Sequence, residues 1–424
     1  MLEIQRIREK KQELADKLMK VRKADYSTEL EKAFHIDEEK RMIQQKLDSA
    51  KATLNQLSSQ IGTLYKEGNT SLANETKTKT SDLKEDIKKM KDRFVSLENQ
   101  LNDVLMLVPN VPNDLVPEGI NESDNEQVFV SDYQELGNNL LPHWDLAKKY
   151  NLIDFELGVK ITGAGFPVYI GKGAILQRAL IQFFLNEGNK EGYNELLVPH
   201  LVNEDSAFGT GQLPDKEGQM YHVVNDDLYL IPTAEVPITN VYRGNLIAHE
   251  DLPIKHVGYT PCFRREAGSY GKDVRGLNRL HQFDKVEIVQ ITSQEKSYDT
   301  LNEMKDHIEG LIRKLGLPFR ILKLCGGDLG FTSALTYDFE VFSVGQKKWL
   351  EVSSVSNFET FQANRLKLRY RSTVDNKPKL AHTLNGSALA LPRILASLLE
   401  FYQSSEGVKI PDVLVPYTGF EWIN

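Results

Sequence analysis

Between residues 36 and 104 the sequence carries two narrow apolar seams separated by a short polar stretch, a pattern few folds can accept. The first seam runs Ile36, Ile43, Leu47, Ala50, Leu54, Leu57, Ile61 and Leu64, in steps of three and four once past Ile43. The second runs Leu83, Ile87, Met90, Phe94, Leu97, Leu101 and Val104. Such spacing puts one stripe on each of two long helices, and each stripe is wide enough to bury against little more than another stripe. The intervening K-E-G-N-T-S contains Gly68 and Asn69, suited to a left-handed helix end, and Thr70 or Ser71, either of which can cap the next helix. The pattern predicts an antiparallel helical hairpin, an arm about 40 Å long at 1.5 Å per residue. Leu2 to about Met19 is a further helix packed at its base.

Seams this thin leave the outer faces free for a partner. The second helix presents Lys77, Lys79, Lys84, Lys88, Lys89, Lys91 and Arg93, interspersed with Glu75, Asp82, Glu85, Asp86 and Asp92. A solvated coiled-coil surface accounts for any single lysine, whereas the set as a whole suits a phosphate backbone. The net charge of -8 argues against nucleic acid only as an average, because residues 1–112 are slightly basic and the acidic excess lies beyond them.

Pro109, Pro112, Pro117 and Gly119 then end the helical pattern and read as a linker. The chain divides into a helical domain, residues 1–112, and a mixed domain of short strands and helices, residues 113–424. A length of 424 residues accommodates both cores. No long apolar run occurs and the first ten residues lack an apolar h-region, so neither a membrane span nor a secretory signal is expected. Cys262 and Cys325 are the only cysteines and lie far apart, which argues against a disulfide framework and a zinc site and favours a cytoplasmic location.

Charge in the second domain is densest from Phe263 to Glu287, F-R-R-E-A-G-S-Y-G-K-D-V-R-G-L-N-R-L-H-Q-F-D-K-V-E. This reads as two strands and a long basic loop. Arg264, Arg265 and Glu266 end the first strand, and Phe283, Val286 and Glu287 lie on the second. Gly268, Gly271 and Gly276 punctuate the loop, which also carries Lys272, Arg275 and Arg279. A buried charge without a partner is strongly destabilising, so such a hairpin either leaves its charges in water or binds a charged ligand.

Four further segments stand out. Phe166 to Leu185 leads from a short strand into a helix apolar round much of its girth, a surface suited to another subunit as well as to a core. In Y-L-I-P-T-A-E-V-P, an extended backbone points Thr233 and Glu235 the same way on either side of Ala234. In W-L-E-V-S-S, Glu351 and Ser353 flank Val352 on one face, with Ser354 on the other unless a bulge re-aims it. H-T-L-N-G-S-A-L-A-L-P-R runs from a strand end through Asn385, Gly386 and Ser387 into a helix with Arg393 in its first turns, an arrangement that favours anions.

In this order the segments resemble the three signature motifs of class II aminoacyl-tRNA synthetases, and in detail the seryl-tRNA synthetase family. Gly165 to Pro199 correspond to motif 1, the Phe263 to Glu287 hairpin to motif 2, and Ser387 to Arg393 to motif 3. The T-A-E run, the E-V-S-S box and the helical arm extend the likeness over essentially the whole chain. Phe358 and Asn364 depart from residues common in the family, at positions that carry no ligand role.

The resemblance implies an α+β catalytic domain, an antiparallel sheet flanked by helices, with an N-terminal antiparallel coiled-coil arm and a homodimer formed through motif 1. It implies ATP-dependent activation of L-serine to seryl-adenylate, then transfer to the 3′ end of serine tRNA, with a selenocysteine tRNA as a further candidate acceptor. Carried over by position, Arg264 would meet the α-phosphate and the serine carboxylate, Glu266 and Arg265 would contact ATP, and Phe283 would stack on adenine beside the backbone of Leu280. Arg393 would hold the far phosphates. Glu351, Val352, Ser353 and Ser354 would border ATP, with Glu351 and Ser354 holding Mg2+. Thr233, Ala234, Glu235, Glu287, Asn385 and Ser387 would surround serine.

A serine carboxylate is already ionised near neutral pH, so activation needs positioning and charge neutralisation more than a strong base. A pocket that hydrogen-bonds a hydroxyl rejects alanine strongly, while larger hydroxy amino acids must be excluded by size. In this family the arm grips tRNA by backbone and shape. Two rivals frame the reading. A synthetase-like ligase that passes a small amino acid to a carrier protein should lack the long arm, and a non-catalytic RNA-binding relative should have lost some of Arg264, Glu287, Glu351 and Arg393.

Overall fold

The seams become long helices. In the computed structural model, which describes residues 1–132, 140–267 and 275–424, α1 spans Ile4–Arg22, α2 Ser27–Lys66 and α3 Thr70–Leu105. The chain divides into one unit of Leu2–Met19 and Ala24–Pro109, and a second of Met1, Lys20–Lys23 and Asn110–Asn424.

In the first unit α2 and α3 run antiparallel, with Leu47, Ile87, Leu97 and Leu101 buried and the other seam residues half-buried or better. Towards the turn the α3 seam continues through Ala73, Thr76 and Thr80, all buried. The Thr76 hydroxyl donates to Leu72 O at 2.8 Å and that of Thr80 to Lys77 O at 2.7 Å, which satisfies them inside a narrow seam. At the turn Gly68 is left-handed (φ +78°). Asn69, however, is the N-cap at φ −87°, with Thr70 already helical, so the expected cap at Thr70 or Ser71 shifts back one residue. Helix α1 is anchored to α2 by the fork of Arg8 on the buried carboxylate of Asp37, at 2.5 and 2.7 Å. The seven basic residues of α3 are all exposed; Lys79, Lys89 and Arg93 pair with Glu75, Glu85 and Glu39.

The second unit is built on eight strands: β1 (Glu126–Val130), β2 (Asn194–Glu195), β3 (Ile254–Phe263), β4 (Gln282–Thr292), β5 (Phe319–Lys323), β6 (Leu335–Ser343), β7 (Lys348–Asn357) and β8 (His382–Ala390). Their order is β1-β5-β6-β7-β8-β4-β3-β2, antiparallel throughout except for the short β2 beside β3. Helices α4 (Lys172–Lys190), α5 (Glu235–Asn240), α6 (Ser297–Leu315), α7 (Thr360–Leu366) and α8 (Leu391–Phe401) flank it. This is the antiparallel sheet with flanking helices that the resemblance implies.

Strand periodicity separates the two faces of the sheet. Val286 and Ile288 of β4, Leu384 of β8 and Phe339 and Val341 of β6 enter one core with apolar residues of α4, α6 and α8. Glu287, Asn385, Ser387 and Asp338 alternate with them and face the other way. Helix α4 spends its apolar girth inside the unit, burying Leu176, Ala179, Leu180, Phe183 and Phe184. Past Pro109 the expected linker is docked: buried Asn110 donates from Nδ2 to Thr332 O at 2.9 Å and to Phe358 O at 2.8 Å. Among the described residues no helix is long and apolar enough to cross a membrane.

Candidate active site

The β3–β4 hairpin pairs Phe263 with Gln282, and Arg264 N extends it by donating to His281 O at 2.9 Å. His281 is fixed in turn. Its N donates to Gly165 O at 2.9 Å, its ring stacks on Phe166 at 5.4 Å, and Nδ1 lies 2.8 Å from the Tyr221 hydroxyl. Gly165 must be glycine here: φ is +83°, and a Cβ would sit 2.4 Å from the His281 ring. These contacts set Leu280, which is buried, and Phe283, which is half-buried.

Half-buried Arg264 donates from Nε to Pro232 O at 3.4 Å, and its guanidinium lies 5.2 Å from the centroid of Phe283. Arg265 is exposed and is held through its backbone N to Gln219 O. Glu266 takes φ +48° and pairs with Arg279 at 3.0 Å. Arg275 lies over the Trp144 ring at 4.6 Å. Gly268, Gly271 and Lys272 lie outside the described residues.

Beyond this hairpin end is a cluster of buried polar side chains. Glu287 lies directly across from Ser387 on β8 and from Gly258 on β3. Its Oε2 accepts from the Thr233 hydroxyl at 3.1 Å and lies 2.5 Å from Lys285 Nζ. The T-A-E run is not extended as expected: Ala234 is helical in backbone and Glu235 begins α5. The cause is local, since the Thr233 hydroxyl accepts from Glu235 N at 3.3 Å and Pro237 is tolerated in a first helical turn. Thr233 and Glu235 still converge. Glu235 Oε1 accepts from Gln362 Nε2 at 2.6 Å, and Gln362 is oriented by the Thr383 hydroxyl, which donates to its Oε1 at 2.7 Å. Burial is the main cause that pushes the Glu235 carboxyl up to about 7; the Gln362 bond opposes this and the Glu287 charge adds to it. The nearby Asn385 amide also opposes the rise, more weakly. Ala234, Asn385 and Ser387 are buried around the same carboxylates.

The E-V-S-S box borders a second polar cluster. Leu350, Val352 and Val355 all enter the core, so the alternation skips a residue. The cause is a bulge: Ser353 pairs with Phe339 but Glu351 with Glu340, leaving Val352 as the extra residue. Ser354, opposite Asp338, therefore turns with Glu351 away from the core, while Ser353, opposite Phe339, stays on the core side of the bulge. The Ser353 hydroxyl donates to Ser387 O at 2.6 Å. Ser354 lies directly across the strands from Asp338, whose Oδ1 is buried without a hydrogen-bond partner. Burial first, then the charge of exposed Glu351, raises the Asp338 carboxyl well above its ordinary range. Arg393 lies in the first turn of α8, donating from Nη1 to Glu351 O at 2.7 Å and from Nε to Asn278 O at 3.1 Å. Strand β8 runs on to Ala390, so Asn385 and Ser387 are mid-strand residues, not the strand end expected.

Sequence reasoning missed Lys285, Gln362, Asp338 and Asn278. Only Lys285 had a local signal, because D-K-V-E places it two residues from Glu287 on one strand face. The other three reach the site through long-range pairing that no spacing encodes.

Comparison with known proteins gives a consistent set of likenesses. Residues 1–112 match the family model of the seryl-tRNA synthetase N-terminal domain, and residues 221–402 that of the tRNA synthetase class II core domain (G, H, P, S and T). The chain is 49% identical over 387 residues to a serine–tRNA ligase of Salinibacter ruber, covering 91% of this chain and 90% of that protein. It is 44% identical to that of Chlorobium phaeovibrioides, covering 100% and 99%. Among solved structures, seryl-tRNA synthetase from Pyrococcus horikoshii complexed with ATP superposes with a TM-score of 0.92 at 32% identity, covering 100% of this chain and 99% of the other.

Proposed function

The chain belongs to the seryl-tRNA synthetase family, and from that premise we propose how its own residues carry ATP-dependent activation of serine and its transfer to tRNA. The observation that carries the assignment is the pair of buried carboxylates, Glu235 and Glu287, bridged by Thr233 contacts, with Glu287 opposite Ser387. Desolvation has pushed Glu235 towards its neutral form, and an ammonium group entering beside it would favour the ionised one. Serine supplies that ammonium, a hydroxyl for Thr233, Glu287 and Ser387, and a carboxylate for the planar fork of Arg264.

ATP lies along the motif 2 hairpin. Phe283 offers a face for adenine, Leu280 a backbone edge, and Arg264, Arg265 and Glu266 the strand end. Arg393, fixed by two backbone carbonyls, presents its guanidinium to the far phosphates. Activation is attack of the serine carboxylate on the α-phosphorus, with Arg264 bridging both reactants so that their charges approach without repulsion.

Glu351, Ser354 and Asp338 fit a magnesium ion shared with the phosphates. All are oxygen donors, as that ion requires, and the unpartnered buried Oδ1 of Asp338 lacks the hydrogen bond such an atom normally has. When bound, the ion neutralises phosphate charge. Among the described residues no three His, Cys, Asp or Glu side chains form a metal-binding group.

Residues 1–112 act as the tRNA-binding arm and residues 113–424 as the catalytic domain, working as a homodimer in the cytoplasm. The exposed lysines of α3 meet RNA phosphates. Transfer to a carrier protein would leave this arm without a use, and loss of catalysis would not preserve Arg264, Glu287, Glu351 and Arg393 together. The test is exchange of labelled pyrophosphate into ATP without tRNA. Serine should support it, and absence of exchange with serine, or better exchange with threonine or proline, would sink the proposal.

A further inference from the structure

Behind the nucleotide site lies a closed ring of hydrogen bonds that begins and ends on α8. Glu400, near its C-terminal end, is fully buried and accepts from His143 N at 2.9 Å, His143 Nδ1 at 2.8 Å, the Ser343 hydroxyl and Gly345 N at 3.1 Å. Such saturation is what a desolvated carboxylate requires. From Glu400 two branches reach consecutive residues of the returning motif 2 loop. In the first, His143 Nε2 accepts from Leu277 N at 2.9 Å. A backbone N–H can only donate, so His143 is the tautomer with its proton on Nδ1, directed at Glu400. In the second, Gln346 Nε2 reaches Glu400 Oε1 at 3.4 Å, and Asn278 Nδ2 donates to Gln346 Oε1 at 2.8 Å. The ring closes where Arg393 Nε donates to Asn278 O, seven residues before Glu400 on the same helix.

The loop is shaped to allow this. Gly276 has φ +67°, and a Cβ there would lie 2.2 Å from His143 Nε2. His143 is therefore approached by backbone that only glycine permits. Neither His143 nor Glu400 is near the serine pocket's hydrogen bonds, and neither faces solvent.

We infer that His143 and Glu400 are positioning residues for ATP, holding Leu277 and Asn278, and through Asn278 the Arg393 guanidinium, in the geometry that receives the phosphates. The inference rests on the assignment of Arg393 and Phe283 to ATP. It is tested by measuring KM for ATP and for serine separately in pyrophosphate exchange. His143→Ala should raise KM for ATP about tenfold, the equivalent of about 1.4 kcal/mol, and leave KM for serine within about twofold. His143→Gln, whose side chain can still present an acceptor to Leu277 N, should recover most of the ATP affinity, whereas His143→Asn, too short for that, should resemble Ala. Equal rises in both constants, or no advantage of Gln over Ala, would overturn the inference. If His143→Ala fails to fold, Gly276→Ala disturbs the same contact from the loop side and should give the same ATP-selective rise; an unselective one would overturn it. No serine-dependent exchange by the unaltered protein would remove the proposed function and this inference together, a result distinct from all of these.

Discussion

Lys285 Nζ lies 2.5 Å from Glu287 Oε2, two residues apart on one face of β4, and both side chains are almost wholly shielded from water. Removing one partner of such a pair strands the other charge, at a cost of about 3–5 kcal/mol. Lys285→Met should lower stability by about this amount in urea denaturation, and Lys285→Met with Glu287→Gln should regain most of it. The double variant should nonetheless fail to bind serine. An unchanged midpoint for Lys285→Met would show that the pair is not desolvated.

Glu235 links stability to pH. Its carboxyl is pushed up from 4.5 to about 7, by burial first and then by the Glu287 charge against the opposing Gln362 bond. Between those values the native state keeps a proton that the unfolded chain has released, so stability falls as pH rises through the window and levels off above it. The total is at most about 3 kcal/mol. Glu235→Gln should flatten the slope, and saturating serine should reduce it in the unaltered protein. A slope of the opposite sign would contradict the burial of this group.

Arg264→Ala should leave circular dichroism unchanged, since the side chain makes one long hydrogen bond to Pro232 O. Pyrophosphate exchange should fall by about 10²–10³-fold or more, the scale of a lost transition-state contact. Retained exchange would overturn the placement of ATP along the hairpin.

Replacing Gly62 to Lys77 by a short turn shortens the arm without touching the second unit. Exchange should be nearly intact while aminoacylation of serine tRNA collapses and loses its steep salt dependence. Equal loss of both activities would make the arm a structural element alone.

Much of this was legible in the sequence because periodicity and order carry it. The heptad steps and the turn between them located α2 and α3 and their ends at the turn, though α2 begins nine residues before its first seam residue, Ile36. F-R-R-E through F-D-K-V-E located the hairpin that holds Arg264 and Glu287. Legibility failed where one residue shifts a register or where partners meet across the fold. V-S-S-V does not announce that Val352 is extra, although the apolar triplet Leu350, Val352 and Val355 records the skip once the core is known. T-A-E looked extended because Pro232 and Pro237 flank it, yet a hydroxyl accepting from Glu235 N starts a helix there. The amide of Gln362 reaches Glu235 from 127 residues away, a distance no local pattern spans.

The threonines at the α3 seam give the arm a graded stiffness. Where Leu97, Leu101 and Ile87 meet α2, separation of the helices would expose apolar surface. Where Thr76 and Thr80 do so, the hydroxyls already bond to their own helix, so the apolar surface exposed is mainly that of the α2 seam and separation costs less. Local opening therefore begins near Gly68 and advances towards Leu101, and amide exchange should follow that order, fastest around the turn. An arm built this way is firm along one half and compliant along the other, so it can follow the contour of what it touches without the whole hairpin coming apart.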